Sequence, residues 1–498
     1  MKNKTDKRVV IIGAGPAGLT AGYELLNNNV AAIIVERDNI VGGLARTVKY
    51  KGYLFDIGGH RFFTKWAEVN RLWHEILGEA FAPRERLSRI YYRNQFFSYP
   101  LRPFNALFGL GWRESARILR SYLYAQVVPH SREDNFKQWV SNRFGRRLYE
   151  IFFRGYTEKV WGVPCTQIGA EWAAQRIKSL SLASVLRNSV FGTRSTRIKS
   201  LVQRFHYPDR GPGQMWETLA QRLGENGCPI QMGSRTVRIC HQNGKVTHLM
   251  METPRGLERL SGTDFISSMP MRDLIEALDP APPDDIQRAG KSLHYRDFLI
   301  VSLIVNRKNV MPDNWIYIHD PAVAVGRIQN FKNWSRAMVP DLEKTCLGME
   351  YFVSENDTLW KQTDQELVEL AKNEVVRLGL ARPEEVEDGT VVRMLKAYPM
   401  YDNGWADSVL TIRNYLERYL TNLQLIGRNG MHKYNNQDHS MMTALYAARN
   451  ILGAHYDLWA VNTEPQYHEE ESAADRSWVR TPITTAGKLS WGPPASLH

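Results

Sequence analysis

The stretch that decides the fold is Arg8–Asp38, RVVIIGAGPAGLTAGYELLNNNVAAIIVERD. It opens on a short apolar run, 8–12, and breaks into a glycine-rich turn. Apolar residues then recur at helical spacing (Leu19, Tyr23, Leu26), and a second apolar run ends on Glu36. This is strand, turn, helix, strand: one βαβ unit. Gly13, Gly15 and Gly18 stand in G-x-G-x-x-G spacing. Each has a separate physical task. Gly13 permits the tight turn, Gly15 lets backbone approach a pyrophosphate, and Gly18 lets helix pack on strand. Pro16 and Ala17 complete the turn into the helix. A carboxylate at the end of the second strand, Glu36, accepts from a ribose 2′-hydroxyl and argues against a 2′-phosphorylated cofactor.

Reading outward, Arg37 leads into RDNIVGGLART, 37–47. The pair Gly42 and Gly43, then Leu44 and Arg46, resembles the extended fingerprint of two-dinucleotide-binding-domain flavoproteins. That family includes the amine oxidases, protoporphyrinogen oxidase and UDP-galactopyranose mutase. The resemblance implies FAD rather than NAD, with Arg46 reaching the pyrophosphate. FDIGGHRFFTK, 55–65, adds a second glycine pair, so Gly59 allows close approach of a flat ligand and His60 sits where an imidazole meets the flavin ring.

Later stretches resemble the UDP-galactopyranose mutase branch. They are RGYTEKVWGVPCTQIGAEWAAQRIKSLSL (154–182), FHYPDRGPGQMWETLAQRL (205–223), LHYRDF (293–298), AYPMYD (397–402) and LIGRNGMHKYNNQDHSMMTAL (425–445). Their order covers most of 8–455. By this resemblance Val237 supplies a backbone contact to adenine, and Gly427, Arg428 and Asp438 complete the cofactor site. Two wordings depart from the mutase pattern. Tyr434 is followed by Asn435 and Asn436, with the acid only at Asp438, and GGHRFFTK is not the usual mutase text.

The mutase resemblance implies that N5 of reduced FAD attacks the anomeric carbon of a nucleotide sugar, isomerising pyranose and furanose with no net redox change. A departing diphosphate needs permanent cations that donate in a planar fork, which is arginine's chemistry. Arg176, Arg296, Arg327 and Arg428 are the candidates, with Arg296 and Arg428 grouped with His60 and Tyr434 as the catalytic set. Tyr156, Trp161, Tyr398 and Tyr401 are expected to shape the substrate pocket. Two other readings stay open. One is an FAD-dependent oxidoreductase acting on an amine, a porphyrinogen-like ring, or a sugar or polyprenyl substrate; the other is a non-catalytic binding protein.

The bulk numbers set limits on all of these. The chain has 498 residues, 43% apolar and 23% charged, and a net charge of +12. The surplus points to an anionic partner. Zinc-finger spacing and RNA-binding aromatic patterns are missing, so nucleic acid is not expected. No apolar run approaches membrane-spanning length. The short apolar run after the basic start is not a signal peptide. Cys165, Cys228, Cys240 and Cys346 show no metal or disulfide spacing, which suits a reducing cytoplasmic setting. Peripheral contact with the inner membrane face through the basic stretch 183–210 is a further expectation. The fold class is α/β: a discontinuous Rossmann-like FAD domain (1–65, 206–285, 420–460), a mainly helical insertion (66–205), a mixed or antiparallel sheet domain (286–419) and a tail (461–498).

Overall fold

The computed structural model describes residues 6–99, 101, 105, 109–170 and 204–463. Its first strand, β1 (Arg8–Ile12), is buried beyond its first residue. Helix α1 (Pro16–Asn27) follows, then β2 (Ala31–Val35). β1 and β2 pair in parallel, and the sheet grows to five parallel strands with 264–267 and 423–425 beyond β1 and 230–231 beyond β2. Near-continuous apolar runs suit such strands because both faces are covered. Helices 213–225 and 437–451 pack on α1, so segments far apart in sequence build one layer. Arg449 fixes the arrangement by donating to Glu24 at 2.9 Å and Glu68 at 2.7 Å.

The glycines behave as the spacing requires. Gly13 has φ +100°, which a side chain rarely adopts. An ideal Cβ on Gly18 would lie 1.8 Å from the Gly13 carbonyl oxygen, so only glycine lets helix meet strand here.

A seven-stranded sheet holds the second half, in the order 386–399, 295–305, 345–353, 327–330, 315–318, 88–92, 95–98. Its neighbours are antiparallel except 315–318 with 88–92. The last two strands come from the stretch read as mainly helical. That stretch contributes the hairpin 88–92/95–98, and 81–85 pairs with 204–208. The hairpin turns through Arg93 and Asn94, both at positive φ. Asn-Gly marks such a turn in sequence and Arg-Asn does not. By contrast Asn243-Gly244, a plain hairpin signal, does turn strand 235–242 into 245–253. Most of 183–210 and nearly all of the tail lie outside the described residues.

Candidate functional site

The cofactor cradle is built first by backbone. Gly15 precedes the first turn of α1, Pro16 stands inside that turn, and no side chain caps the helix. Its first N–H groups are therefore open to an anion. An ideal Cβ on Gly15 would lie 3.9 Å from the Gly43 Cα, and one on Gly43 would lie 3.3 Å from the Gly15 Cα. The two glycine segments thus pack backbone against backbone, with no side chain where they meet. Gly42 holds its turn at φ +94° and donates its N–H to the Ala14 carbonyl at 2.9 Å.

Glu36 is buried and accepts from the Ala14 N–H at 2.7 Å and the Asp38 N–H at 2.9 Å. Its backbone carbonyl accepts from the Ser234 N–H at 2.7 Å, which brings the start of strand 235–242 beside it. Val237 is the bulged residue of that strand, between Thr236 and Arg238. A bulge frees backbone groups from the ladder, as an adenine contact would need. Arg46 is turned inward, donating to the Gly43 carbonyl at 2.7 Å and to Asp38 at 2.5 Å. Arg37 lies outside, 3.6 Å from Asp38. Leu44 packs with the cluster that includes Phe55 and Phe331. On the far side Gly427, at φ +78°, closes on Ala17, whose Cβ is 3.1 Å from where a Gly427 side chain would begin. The fold therefore fits a bound dinucleotide: a glycine cradle, an open helix N-terminus and a carboxylate at the ribose position.

Beside this cradle the structure gathers a second group. An ideal Cβ on Gly58 would lie 3.7 Å from Arg327 Nη2 and 3.8 Å from His60 Cε1, so glycine there is the space between two side chains. Gly59 stands against Gln329. Arg327 donates to Glu350 at 2.6 Å, and Gln329 donates to the other Glu350 oxygen at 2.8 Å. Burial pulls the Arg327 guanidinium down, but the Glu350 carboxylate prevails and holds it well above its ordinary value. Burial, with Arg428 and Arg327 close by, lowers the His60 imidazole to about 3, so it is neutral at physiological pH.

Arg428 donates to the Asn435 and Ala397 carbonyls at 2.8 and 3.2 Å and lies 4.6 Å from the Tyr434 ring centroid and 5.7 Å from that of Tyr398. No carboxylate pairs with it among the described residues. Tyr398 and Tyr434 stack at 5.9 Å, interplanar angle 15°. Burial, then the Tyr434 charge, raises the Tyr398 phenol. Tyr156 stacks on His319 at 4.9 Å and meets Tyr317 edge-on at 5.5 Å. Burial raises its phenol, with Arg327 opposing. Tyr401 stands behind: its hydroxyl accepts from the Tyr434 N–H at 2.6 Å, and its ring stacks on Trp405 at 4.1 Å.

The remaining expected site residues that are described are tied into the protein frame. Arg296 donates to the Phe352 carbonyl at 2.7 Å, Ser354 Oγ at 2.6 Å and Asp357 at 3.2 Å. Its guanidinium is packed under Gly162, whose Cβ would fall 2.4 Å from Arg296 Cζ. This arginine ties a strand end and a loop to the insertion, at the register position opposite Tyr398. Arg296→Ala is accordingly expected to lower stability by about 1–3 kcal/mol through the acceptors left unpaired, seen as a lower urea midpoint with flavin content unchanged. Trp161 is buried in the core of the insertion. Arg176 lies outside the described residues.

Two further groups emerge only in three dimensions. Glu350 meets Arg327 as its cross-strand partner. Asp56, from the FDIGGH stretch, accepts from Tyr207 at 2.5 Å and Thr47 at 2.8 Å, and Thr47 in turn accepts from the Gly213 N–H at 3.0 Å. That knot anchors the strand leading to His60. Burial raises the Asp56 carboxyl to about 7, against the lowering effect of its two donors. An acid whose folded value exceeds its unfolded one, about 3.9, stabilises below that unfolded value and loses the contribution as pH rises to about 7. Asp56→Asn should therefore flatten the pH dependence of the urea midpoint between about pH 4 and 7 relative to wild type, by an amount on the order of a few kcal/mol. An unchanged slope would reject a protonated Asp56. Asp438, in the first turn of helix 437–451, is raised to about 7 for the same reason, burial.

Comparisons with known proteins bear on this geometry. The model of the flavin containing amine oxidoreductase family matches residues 16–408. A protein of Klebsiella pneumoniae named "Probable UDP-galactopyranose mutase" is 26% identical over 182 residues, 33% of this chain and 44% of that protein. Protoporphyrinogen oxidase 2 of Arabidopsis thaliana is 34% identical over 72 residues, 14% of each chain. The match thus spans less than half the length of these curated relatives. Among solved structures, reduced UDP-galactopyranose mutase superposes with a TM-score of 0.80 at 22% identity, covering 93% of this chain and 97% of the other. That likeness establishes a shared fold.

Proposed function

The chain belongs to the flavin containing amine oxidoreductase family, its cofactor is FAD, and from that premise we propose that it isomerises a nucleotide sugar without net redox change. The observation that carries this reading is electrostatic. Arg428 sits beside the dinucleotide cradle with its charge unanswered by any carboxylate among the described residues, and burial, reinforced by Arg428 and Arg327, keeps His60 neutral. Such a pocket attracts a diphosphate and repels a protonated amine.

The bound flavin would supply the nucleophile or electron pair; the protein's own groups do the rest. Gly13–Gly18, Glu36, Gly42–Arg46, Val237 and the Gly427 loop would hold the dinucleotide. Arg428 would meet the charge that grows on the leaving diphosphate, in a site where burial strengthens it. The Tyr398–Tyr434 pair and Tyr156 offer flat faces for a sugar and a base. Tyr401 would keep Tyr434 in place through its backbone N–H. His60, neutral, would offer a hydrogen bond near the ring system without adding charge.

Binding tests this directly. Uridine diphosphate should perturb the flavin absorbance of the holoprotein, with an affinity that falls as salt rises. Putrescine and other small amines should not. Perturbation by amines, with no response to nucleoside diphosphates, would favour the oxidoreductase chemistry of other family members.

A further inference from the structure

We infer that the exposed face of helix Trp112–Val127 seats on a lipid bilayer rich in anionic phospholipid. The helix runs 16 residues and turns Ile118, Tyr122 and Ala125 into the protein. A second stripe faces away: Trp112 is 77% exposed, Leu119 48%, Leu123 56% and Val127 80%. Spacings of seven, four and four residues align these four along one side of a 3.6-residue helix, with Ala116 in the gap. An adjoining stripe carries Arg113, Arg117 and Arg120, with Tyr124 at its end. Glu114 is the helix's single acid; Arg147 draws it to the protein side at 2.5 Å, and Arg117 lies 3.6 Å from its other oxygen, which leaves Arg113 and Arg120 without a carboxylate among the described residues. Arg113 lies over the Trp112 ring, 5.3 Å from its centroid. The outer surface is thus apolar and cationic with no exposed acid.

Those two properties together select the occupant. Large exposed aliphatic and aromatic groups in one row mark an interaction surface. A second copy of this chain would set arginine stripe beside arginine stripe. A bilayer with anionic headgroups takes the apolar row into its interface and pairs the arginines with phosphate. The helix would lie in the plane of the interface: at about 24 Å it is too short to span a bilayer, and among the described residues no helix is long and apolar enough to cross one. The overall charge of +12 adds to the attraction. The inference is independent of the reaction proposed above.

Vesicle sedimentation of the full chain tests it. The protein should pellet with phosphatidylcholine vesicles that contain phosphatidylglycerol and stay in solution with phosphatidylcholine alone. Leu119→Asp/Leu123→Asp should abolish pelleting. Arg113→Gln/Arg117→Gln/Arg120→Gln should weaken the partition coefficient about fivefold per arginine. Both sets of positions are exposed, and circular dichroism will report whether the fold is kept. Arg187→Gln/Arg194→Gln/Arg197→Gln, in the other basic stretch, should leave pelleting intact. Wild-type protein that never pellets, or pelleting that only this last variant removes, would overturn the inference. So would sedimentation velocity showing a dimer that Leu119→Asp/Leu123→Asp dissolves while no form binds vesicles; the face would then be a seam between copies.

Discussion

Arg428→Ala should lower kcat/KM for the nucleotide sugar by about two to three orders of magnitude, the range seen when one preorganised donor to developing charge is removed, while FAD stays bound at full stoichiometry. The expectation follows from what Arg428 touches. Its donors go to two backbone carbonyls, Asn435 and Ala397, and its face lies against Tyr434 and Tyr398. Arg327, by contrast, is already neutralised by Glu350 at 2.6 Å. Of the two cations beside His60, Arg428 therefore has the charge to spare. Arg428→Lys separates charge from geometry: it keeps the former and loses the planar fork, so activity should recover only in part. Activity within threefold of wild type in Arg428→Ala would show that the diphosphate is held elsewhere. Loss of flavin would show that this arginine serves the cofactor alone.

Gly15→Val should yield a folded protein without flavin. Among the fingerprint glycines this one is the informative choice. Gly18 cannot carry a side chain without striking the Gly13 carbonyl at 1.8 Å, so its replacement tests folding and nothing else. Gly15 has φ −81° and its Cβ would meet only Gly43, at 3.9 Å, an ordinary contact. The backbone accepts a Cβ there, whereas a pyrophosphate lying against the turn would not. Absorbance of the purified variant near the flavin band, with a circular dichroism spectrum matching wild type, checks both halves. Retained flavin would reject the cradle assignment.

The βαβ unit was legible because two apolar runs flank three glycines whose roles differ and cannot be exchanged. The flavin-family reading was legible for a similar reason, since the glycine pair at 42–43 marks backbone packed on the Gly15 turn; the pair at 58–59 instead makes room for Arg327, His60 and Gln329. What surrounds His60 was legible only in part. Tyr398, Tyr434, Arg327 and Arg428 do converge there, although they come from a strand end, a loop and a mid-sheet strand. Glu350 and Gln329 had no local signal. They reach the site through strand register alone, Arg327 opposite Glu350 and Gln329 opposite Gly348. Arg296 shows the reverse problem. A Tyr-Arg pair near the start of a strand says nothing of which way the arginine faces, and here it faces Phe352 and Ser354 beneath Gly162. The strands at 81–98 hid behind a turn whose residues, Arg93 and Asn94, carry positive φ without a glycine.

The central claim is that this flavoprotein rearranges an anionic sugar substrate with no net electron transfer. The most direct measurement is product analysis of the holoprotein with a panel of nucleotide sugars, run once with dithionite-reduced and once with oxidised flavin. A pyranose–furanose exchange should occur only with reduced flavin and should leave the flavin spectrum reduced at the end. The contradicting result would be oxidised flavin that bleaches on mixing with substrate and regains its colour with oxygen, with an oxidised product and no isomer formed.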